Sequence, residues 1–386
     1  MLNLAGDHDF VKVAHLIGVS RLANITGLDL VGVPVVSAIR PGARSLCVSQ
    51  GKGLDIRSAA LSAVMEAAEL FHAERLSAPA RIFPISQPDG PIIKLRQTKK
   101  IPDNQPMSWL TGTEILEGAP IFVPFDAVDM NQDSSRSPAG TSFAATGTGL
   151  AAGFSREFAL RHALLEVIER DAHSLWRAAP TDFKLKRLIN PKTIDDEACA
   201  GLIEKFRLAG YSPCFWDATT ELGIPCCIAE FFAEVDGGGF FWPYSIGVGC
   251  DLSPPRALGK AILEAAQIRL TYIAGARDDL LWQDYSETYE RIALNRRNLR
   301  NAALPAKDLK FESSEQFTID QSVKHLCKAI SGSGFDQVAL VDLSHGGTGV
   351  HVLKVLIPGM EDSVEATDEG LSSLGVARLE TMVKTP

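Results

Sequence analysis

The chain has 386 residues, of which 46% are hydrophobic and 22% charged, ordinary proportions for a globular protein and far from those of disordered or fibrous chains. Lys and Arg number 38 against 47 Asp and Glu, a net charge of −9. No overall basic surface exists to drive phosphate-backbone binding, which excludes nucleic acid as the main partner.

The length gives room for roughly two to three ordinary domains or for one large composite domain. The seven cysteines are scattered and show no CxxC spacing, so they are expected to be reduced, buried thiols and not a zinc site. Asp7, His8 and Asp9 stand where a signal peptide needs its apolar core, and no apolar run reaches membrane-spanning length. A cytoplasmic protein without membrane contact is the expectation.

In chain order, residues 1–55 hold short apolar pieces such as Leu30 to Val36, broken by Gly and Pro, which predict strand and turn. From Arg57 to Leu76 the sequence predicts a strong helix, rich in Ala and Leu with no Gly or Pro. Residues 77–108 are Pro-rich and read as loop. Ile121 to Phe125 predicts a strand, and Asp129 to Thr148 a long loop or a site wall. A second helix is predicted from about Ser155, as its cap, to Trp176.

Ser212 to Gly249 reads as a β-meander with turns at ELG and DGGG. A third helix follows Ser253-Pro254-Pro255 and continues through Arg269. Residues 284–336 read as polar helix or linker, 338–343 and 350–357 as strands, and the end of the chain as a loose polar tail. The pattern predicts an α/β (α+β layered) body and not a bundle. It is expected to be one composite domain over 1–370, with subdomains of roughly 1–150, 151–283 and 284–370, and a tail at 371–386.

No solenoid repeat is present, but three helices share one pattern. AVMEAAE (63–69), ALLEVIE (163–169) and AILEAAQ (261–267) each place Glu, then Glu or Gln, in the same apolar setting. Ser62, Glu66 and Glu69 are spaced to form a single helical stripe. The usual reading of Glu-x-x-Glu is a solvated face. From Ala59 to Phe71, however, only those three residues are not apolar, and such a helix is normally buried, so its carboxylates need a cation. Glu166, Glu169, Arg170 and Asp171 repeat the situation, and Glu264, Gln267 and Arg269 offer a third set. Their convergence would make an oxygen-rich site suited to Mg²⁺ carrying phosphate, with Arg170 and Arg269 toward the phosphates.

The other motifs are weaker. SQGKG (49–53) lacks the Ser or Thr after Lys52 and the upstream Gly of a phosphate loop. GTGLAAG (147–153) follows a polar loop and has no acidic residue ending a second strand, so a tight turn is preferred to a dinucleotide fingerprint. Glu69-x-x-His72 has di-iron spacing, but the second such pair is absent, and His72 and His173 read as packing or supporting residues. Cys226-Cys227 reads as core.

SQGKG, SAVMEAAE (62–69), TGTGLAAG with ALLEVIERD (146–153, 163–171), DATTELGIP (217–225), ALGKAILEAAQIR (257–269), VALVDLS (338–344) and VLIPGMED (355–362) together resemble the YcaO-domain family, in order and over most of the chain. The resemblance implies an ATP site in which acidic helix residues hold Mg²⁺, and O-phosphorylation of a peptide-backbone amide before a nucleophile attacks the activated carbon. It implies metal ligation by Glu66, Glu69, Glu166, Glu169 and Glu264, with Ser62, Arg170, Gln267, Arg269 and, more weakly, Arg21 binding the nucleotide.

No acid, base or nucleophile is singled out. Leu70 stands where many members have Arg, and the wording from Leu70 to Glu74 resembles the subgroup associated with TfuA partner proteins. The family's Pro-x-Pro-x-Pro ending is replaced by Met382 to Pro386. The expectation is thioamide formation on a precursor peptide or protein, with a sulfide or other sulfur donor, a TfuA-like partner and a homodimeric assembly. An azoline- or macroamidine-forming cyclodehydratase and a non-catalytic accessory protein remain as alternatives.

Overall fold

Each of the three alanine-rich helices forms, and each follows directly from a strand. The computed structural model describes residues 8–76, 81–132, 142–233, 243–277, 279–285, 317–362 and 370–384. In chain order its elements are α1 (His8–Leu16), β1 (Arg21–Asn24), β2 (Val35–Ile39), β3 (Val48–Lys52), α2 (Ile56–Ala73), β4 (Arg81–Pro84), β5 (Pro106–Glu114), β6 (Ala119–Pro124), β7 (Leu150–Gly153) and α3 (Arg156–Ala178). These are followed by α4 (Thr181–Leu185), β8 (Leu188–Ile189), α5 (Glu197–Leu208), β9 (Tyr211–Asp217), β10 (Cys226–Ala233), β11 (Tyr244–Cys250), α6 (Pro254–Ala274), α7 (Ile319–Gly332), β12 (Ala339–Asp342), β13 (His351–Leu356) and α8 (Ser373–Lys384).

The strands make three antiparallel sheets: β1-β2-β3, β11-β10-β9-β8, and β4-β5-β12-β13-β7 with β6 added on β5. In each sheet the strand that leads into a long helix, β3, β7 or β11, is an edge strand. Helix α2 packs on β2 and β3 and also touches β7; α3 packs on β7 and β13 and also touches β11; α6 packs on β10 and β11 and also touches β3. Sheets and helices therefore alternate around a closed ring.

Burial follows this arrangement. One apolar cluster fills the space between α2, β2 and the six-stranded sheet, a second joins α3 to the four-stranded sheet, and a third lies under α5 and α6 on that sheet's other face. The helices approach closely because their contact faces are alanine and the strands beneath carry glycine. A Cβ on Gly51 would lie 2.0 Å from the Ala63 nitrogen, and one on Gly247 would lie 2.1 Å from the Ala261 carbonyl oxygen.

Among its described residues the Pro-rich stretch 77–108 is mostly loop, as expected, with the short β4 and the start of β5 at its two ends and Pro84 opposite Pro106 at the end of their pairing, where a missing N–H costs least. Two expectations need correction. Of the apolar run Leu30 to Val36, only Val35 and Val36 enter a strand. The end of the chain is a helix, α8, anchored by Arg378 to the buried Asp171. The meander forms as β9, β10 and β11; its DGGG turn lies outside the described residues, as do residues 286–316 of the polar linker. Among the described residues no helix is long and apolar enough to cross a membrane.

Candidate active site

Asp55 caps α2 in a capping box with Ser58, Ser155 caps α3 through the Phe158 N–H, and Ser253 precedes α6 with Pro254 and Pro255 in its first turn. Counted from these three caps, Glu66, Glu166 and Glu264 occupy one equivalent position, and Glu69, Glu169 and Gln267 a second. Equal helix geometry then puts the six side chains in two layers facing the centre of the ring.

The inner edges of the sheets hold five of them there, all but Glu166. Glu66 accepts from the Gln50 N–H, and Glu264 Oε2 from the Val248 N–H at 2.7 Å. Both bonds run to the helix's own sheet. The second position reaches the next sheet round the ring: Glu69 Oε1 accepts from the Ala152 N–H at 2.9 Å, and Glu169 Oε2 from the Cys250 N–H at 3.0 Å. The ring closes when Gln267 Nε2 donates to the Gln50 carbonyl at 2.8 Å. The third helix carries an amide because its partner is an acceptor. An edge strand normally exposes such groups, and here they orient carboxylates.

All six side chains line one cavity of about 1780 Å³, together with Ser62, Lys52, Arg170, Arg277 and Asp362. Glu166 keeps 30% of its side chain accessible, so this is a cavity wall and not a sealed core. Burial pushes Glu166 up to about 7 despite Arg170. It also raises Glu66 and Glu169, and lifts Glu69 well above the usual carboxylate range, with Glu166 and Glu66 adding to the effect. Burial opposes ionisation of Glu264 too, but Lys52, Arg170 and the Val248 N–H outweigh it and lower its pKa. Arg170 lies 4.0 Å from Glu166, 3.7 Å from Glu169 and 3.8 Å from Glu264, a shared counter-charge that none of the three holds at hydrogen-bond distance.

Several wall residues have no counterpart among the sequence-derived candidates. Asp362 is held at the rim by the Thr146 and Thr148 hydroxyls, at 2.5 and 2.7 Å. Beneath it the buried Lys354 donates to the Thr146 and Thr148 carbonyls, its pKa pushed down to about 8 by burial. Lys52 and Asp362 lie within the SQGKG and VLIPGMED motifs, which is the only sequence signal they carry.

Two candidates fall elsewhere. Arg269 is fully buried, bonded to Asp29 at 2.7 and 2.9 Å, with its guanidinium 4.1 Å over the Tyr211 ring. It sits two residues from Gln267, roughly 200° around the helix, and so faces away from the cavity. Arg21 is exposed on β1, the strand farthest from the inner edge of its sheet, and is not part of the lining.

His72 is a packing residue, between the Leu343 carbonyl and Thr348 Oγ1, each at 3.1 Å, whereas His173 lines the cavity. Cys226 and Cys227 are core thiols whose pKa values are raised well above the usual thiol value, Cys226 mainly by its hydrogen bond with Cys250 and Cys227 by burial. The segment from Leu70 to Glu74 acquires a physical meaning. Leu70 lines the cavity at the position equivalent to Arg170. The fully buried Glu74 accepts from Arg40, from the Arg44 and Ser45 N–H groups at 2.9 and 3.0 Å, and from Ser45 Oγ at 2.7 Å, fixing the 40–45 loop.

A cavity walled by tethered carboxylates and cations, inside a ring of three sheets and three helices, is the core of an ATP-dependent enzyme class. Residues 50–361 match the family model of the YcaO cyclodehydratases, ATP- and Mg²⁺-binding, and the chain belongs to this family. It is 31% identical over 359 residues to an uncharacterized protein in the tfuA 3′ region of Rhizobium leguminosarum bv. trifolii, covering 89% of this chain and 84% of the relative.

Two solved structures share the fold. YcaO from Methanopyrus kandleri bound with AMPPCP and Mg²⁺ superposes with a TM-score of 0.73 at 21% identity, over 94% of this chain and 91% of that one. A heterocyclase in complex with substrate and cofactor gives a TM-score of 0.75 at 19% identity, over 95% of this chain but only 56% of the heterocyclase.

The donor set fits Mg²⁺ with a nucleotide. The facing carboxylates are hard oxygen ligands, and burial raises the pKa of Glu66, Glu69, Glu166 and Glu169, an opposition to their ionised forms that a bound cation would offset. Among the described residues no three carboxylate, imidazole or thiol groups enclose a cation by themselves. Mg²⁺ usually takes one or two carboxylates and completes its shell with phosphate and water.

Proposed function

We propose that the protein O-phosphorylates a backbone amide of a ribosomally made peptide or a protein, using ATP and Mg²⁺, and that a sulfur nucleophile then adds at the activated carbon and expels phosphate, leaving a thioamide. The observation that carries the phosphorylation step is the ring of strand-tethered carboxylates around Arg170. It pre-orients anionic ligands for a divalent cation and keeps cationic side chains beside them for phosphate.

Glu66, Glu69, Glu166, Glu169 and Glu264 would hold the metal, all but Glu166 tethered to an edge strand. Ser62, Gln267, Arg170, Lys52 and Arg277 face the same space and would bind the nucleotide. Bound Mg·ATP supplies the phosphoryl group and the charge neutralisation its transfer needs. The cavity exceeds the usual range for a small-ligand pocket, leaving room for a peptide beside the nucleotide. Arg269 supports this wall from behind, through Asp29.

Two observations favour sulfur as the nucleophile: the relative encoded in a tfuA 3′ region, and the Leu70 to Glu74 wording of this chain. The family description favours water loss to an azoline or macroamidine as the second reading. Mass spectrometry separates them when the protein is given ATP, Mg²⁺, sulfide, a TfuA-type partner and its cognate peptide. A gain equal to sulfur minus oxygen supports thioamidation. Loss of water without sulfide establishes the cyclodehydratase, and sulfur incorporation without ATP consumption overturns both.

A further inference from the structure

The inner edge strands differ in how fully they are capped, and at Ile246 on β11 both main-chain groups are left open among the described residues. On β3 the Gln50 N–H and carbonyl are both taken, by Glu66 and Gln267. On β7 the Ala152 N–H is taken by Glu69. On β11 the Val248 and Cys250 N–H groups go to Glu264 and Glu169, and the Cys250 carbonyl accepts from Lys260 at 2.9 Å. In the β10–β11 register Cys250 opposes Cys226 and Ile246 opposes Glu230. Main-chain groups alternate in direction along a strand. Ile246 has the parity of Val248 and Cys250, so its N–H and carbonyl also point off the ladder, toward the cavity that Ile246 lines. Among the described residues neither group has a hydrogen-bond partner.

A second observation marks the same place. Ser245 is 1% exposed, lines the cavity, and its hydroxyl has no hydrogen-bond partner. Tyr244, Ser245, Ile246, Gly247 and Val248 all touch the cavity consecutively. A strand whose side chains alternate between faces does this only where its edge is open. Beside it stand Trp176 and Trp216, with the buried Glu230 accepting from Trp216 Nε1 at 2.7 Å and from the Tyr244 hydroxyl at 2.6 Å.

We propose that the substrate is bound as an extended peptide strand added to the inner edge of β11, its backbone bonded to the Ile246 N–H and carbonyl. This inference rests on the peptide-amide substrate class proposed above. The occupant is a peptide because the gap offers one donor and one acceptor at strand spacing, and an open edge recruits backbone by pairing with it.

The geometry also sets where modification falls. Val248 is capped by Glu264, so the added strand must leave the edge there. That point is two residues, or roughly 7 Å, beyond Ile246. The backbone amide that follows the paired residue is thereby delivered to the carboxylates. Pairing by backbone makes no demand on the side chains of the added strand, so selection would fall to the aromatic wall.

The test uses the full chain with AMPPCP, Mg²⁺ and a random pool of end-capped ten-residue peptides, alongside the same pool N-methylated at every residue. Wild-type protein is expected to retain the first pool and not the second, and the Ile246 amide to exchange hydrogen more slowly when peptide is present. Ile246→Pro removes an N–H that no ladder bond uses, a replacement tolerated at a strand edge. It is expected to weaken peptide retention about tenfold, with Ile246→Val at wild-type level. Equal retention by Ile246→Pro, equal retention of the N-methylated pool, an unchanged Ile246 amide, or no peptide retained by wild type each overturns the proposal. AMPPCP affinity is read separately, so failure of the nucleotide site is distinguished from failure of the strand site.

Discussion

Gln267 donates its side-chain amide to the main-chain carbonyl of Gln50 at 2.8 Å, joining the last helix of the ring to the first strand. Thr271 ties the same pair, its hydroxyl contacting both the Gln50 side-chain oxygen and the Gln267 carbonyl. In Gln267→Glu an oxygen would replace the donor and face the carbonyl without a proton between them. The expected cost is about 1–3 kcal/mol, measured as a lower urea midpoint with unchanged m-value, and recovered in part at acid pH where the new carboxyl is protonated.

Glu66→Gln and Glu169→Gln are each expected to lower Mg²⁺-dependent ATP turnover by roughly 10²-fold or more. The fold should survive, because a glutamine oxygen can still accept from the Gln50 or Cys250 N–H. Unchanged circular dichroism together with unchanged turnover would show that the carboxylates are structural.

These replacements were suggested by sequence alone, and the reason is physical. A helix that is apolar on nearly every side and yet carries Glu66 and Glu69 already declares its need for a cation. The Gly- and Pro-free, alanine-rich run after Arg57, the Ser155 cap and Ser253-Pro254-Pro255 placed the three helices, and the repeated Glu-x-x-Glu/Gln pattern linked them. Other features had no local pattern to betray them. Asp362 is brought to the rim by Thr146 and Thr148, 216 and 214 residues away. Arg269 follows Gln267 so closely that only the helix rotation separates an inward residue from an outward one. Prolines concealed β4 and β5, and α8 reads as tail because its anchor, Arg378, meets its partner on α3.

Binding of Mg·ATP is expected to release protons near neutral pH. Glu166 has its pKa pushed up to about 7, Glu69 lies well above the usual range, and a cation binds the ionised forms. Calorimetry in buffers of different ionisation enthalpy checks this. In the metal-free protein the sign follows from linkage: the native state holds protons that the unfolded state has lost. Stability from these groups therefore falls as pH rises from about 5 toward about 8, and Mg·ATP should flatten that slope. A metal-free protein that gains stability across this range would contradict the raised values.

Arg378→Met is expected to destabilise by about 3–5 kcal/mol, by leaving a buried charge without its counter-ion. Arg378 meets Asp171 through two bonds of 2.7 and 2.6 Å and Glu221 through one of 2.6 Å, and Asp171 is wholly buried. The double replacement with Asp171→Asn should restore part of the loss, because an amide still accepts from the Glu361 N–H, which bonds Asp171 at 2.8 Å. Thermal unfolding of both variants measures it.

The contact between Gln50 and Gln267 spans 217 residues, and this separation orders events on the ribosome. Strand β3 and α2 emerge early, but Glu69 must wait for β7, Glu169 for β11, and Gln50 for α6. Until then the carboxylates stand in water, ionised and well hydrated, on helices whose remaining faces are largely alanine. Their charge keeps the unfinished helices from associating with each other or with neighbouring chains, a hazard for large proteins during synthesis. Desolvation of the acids is deferred to the last step, when the ring shuts and a nucleotide can meet them.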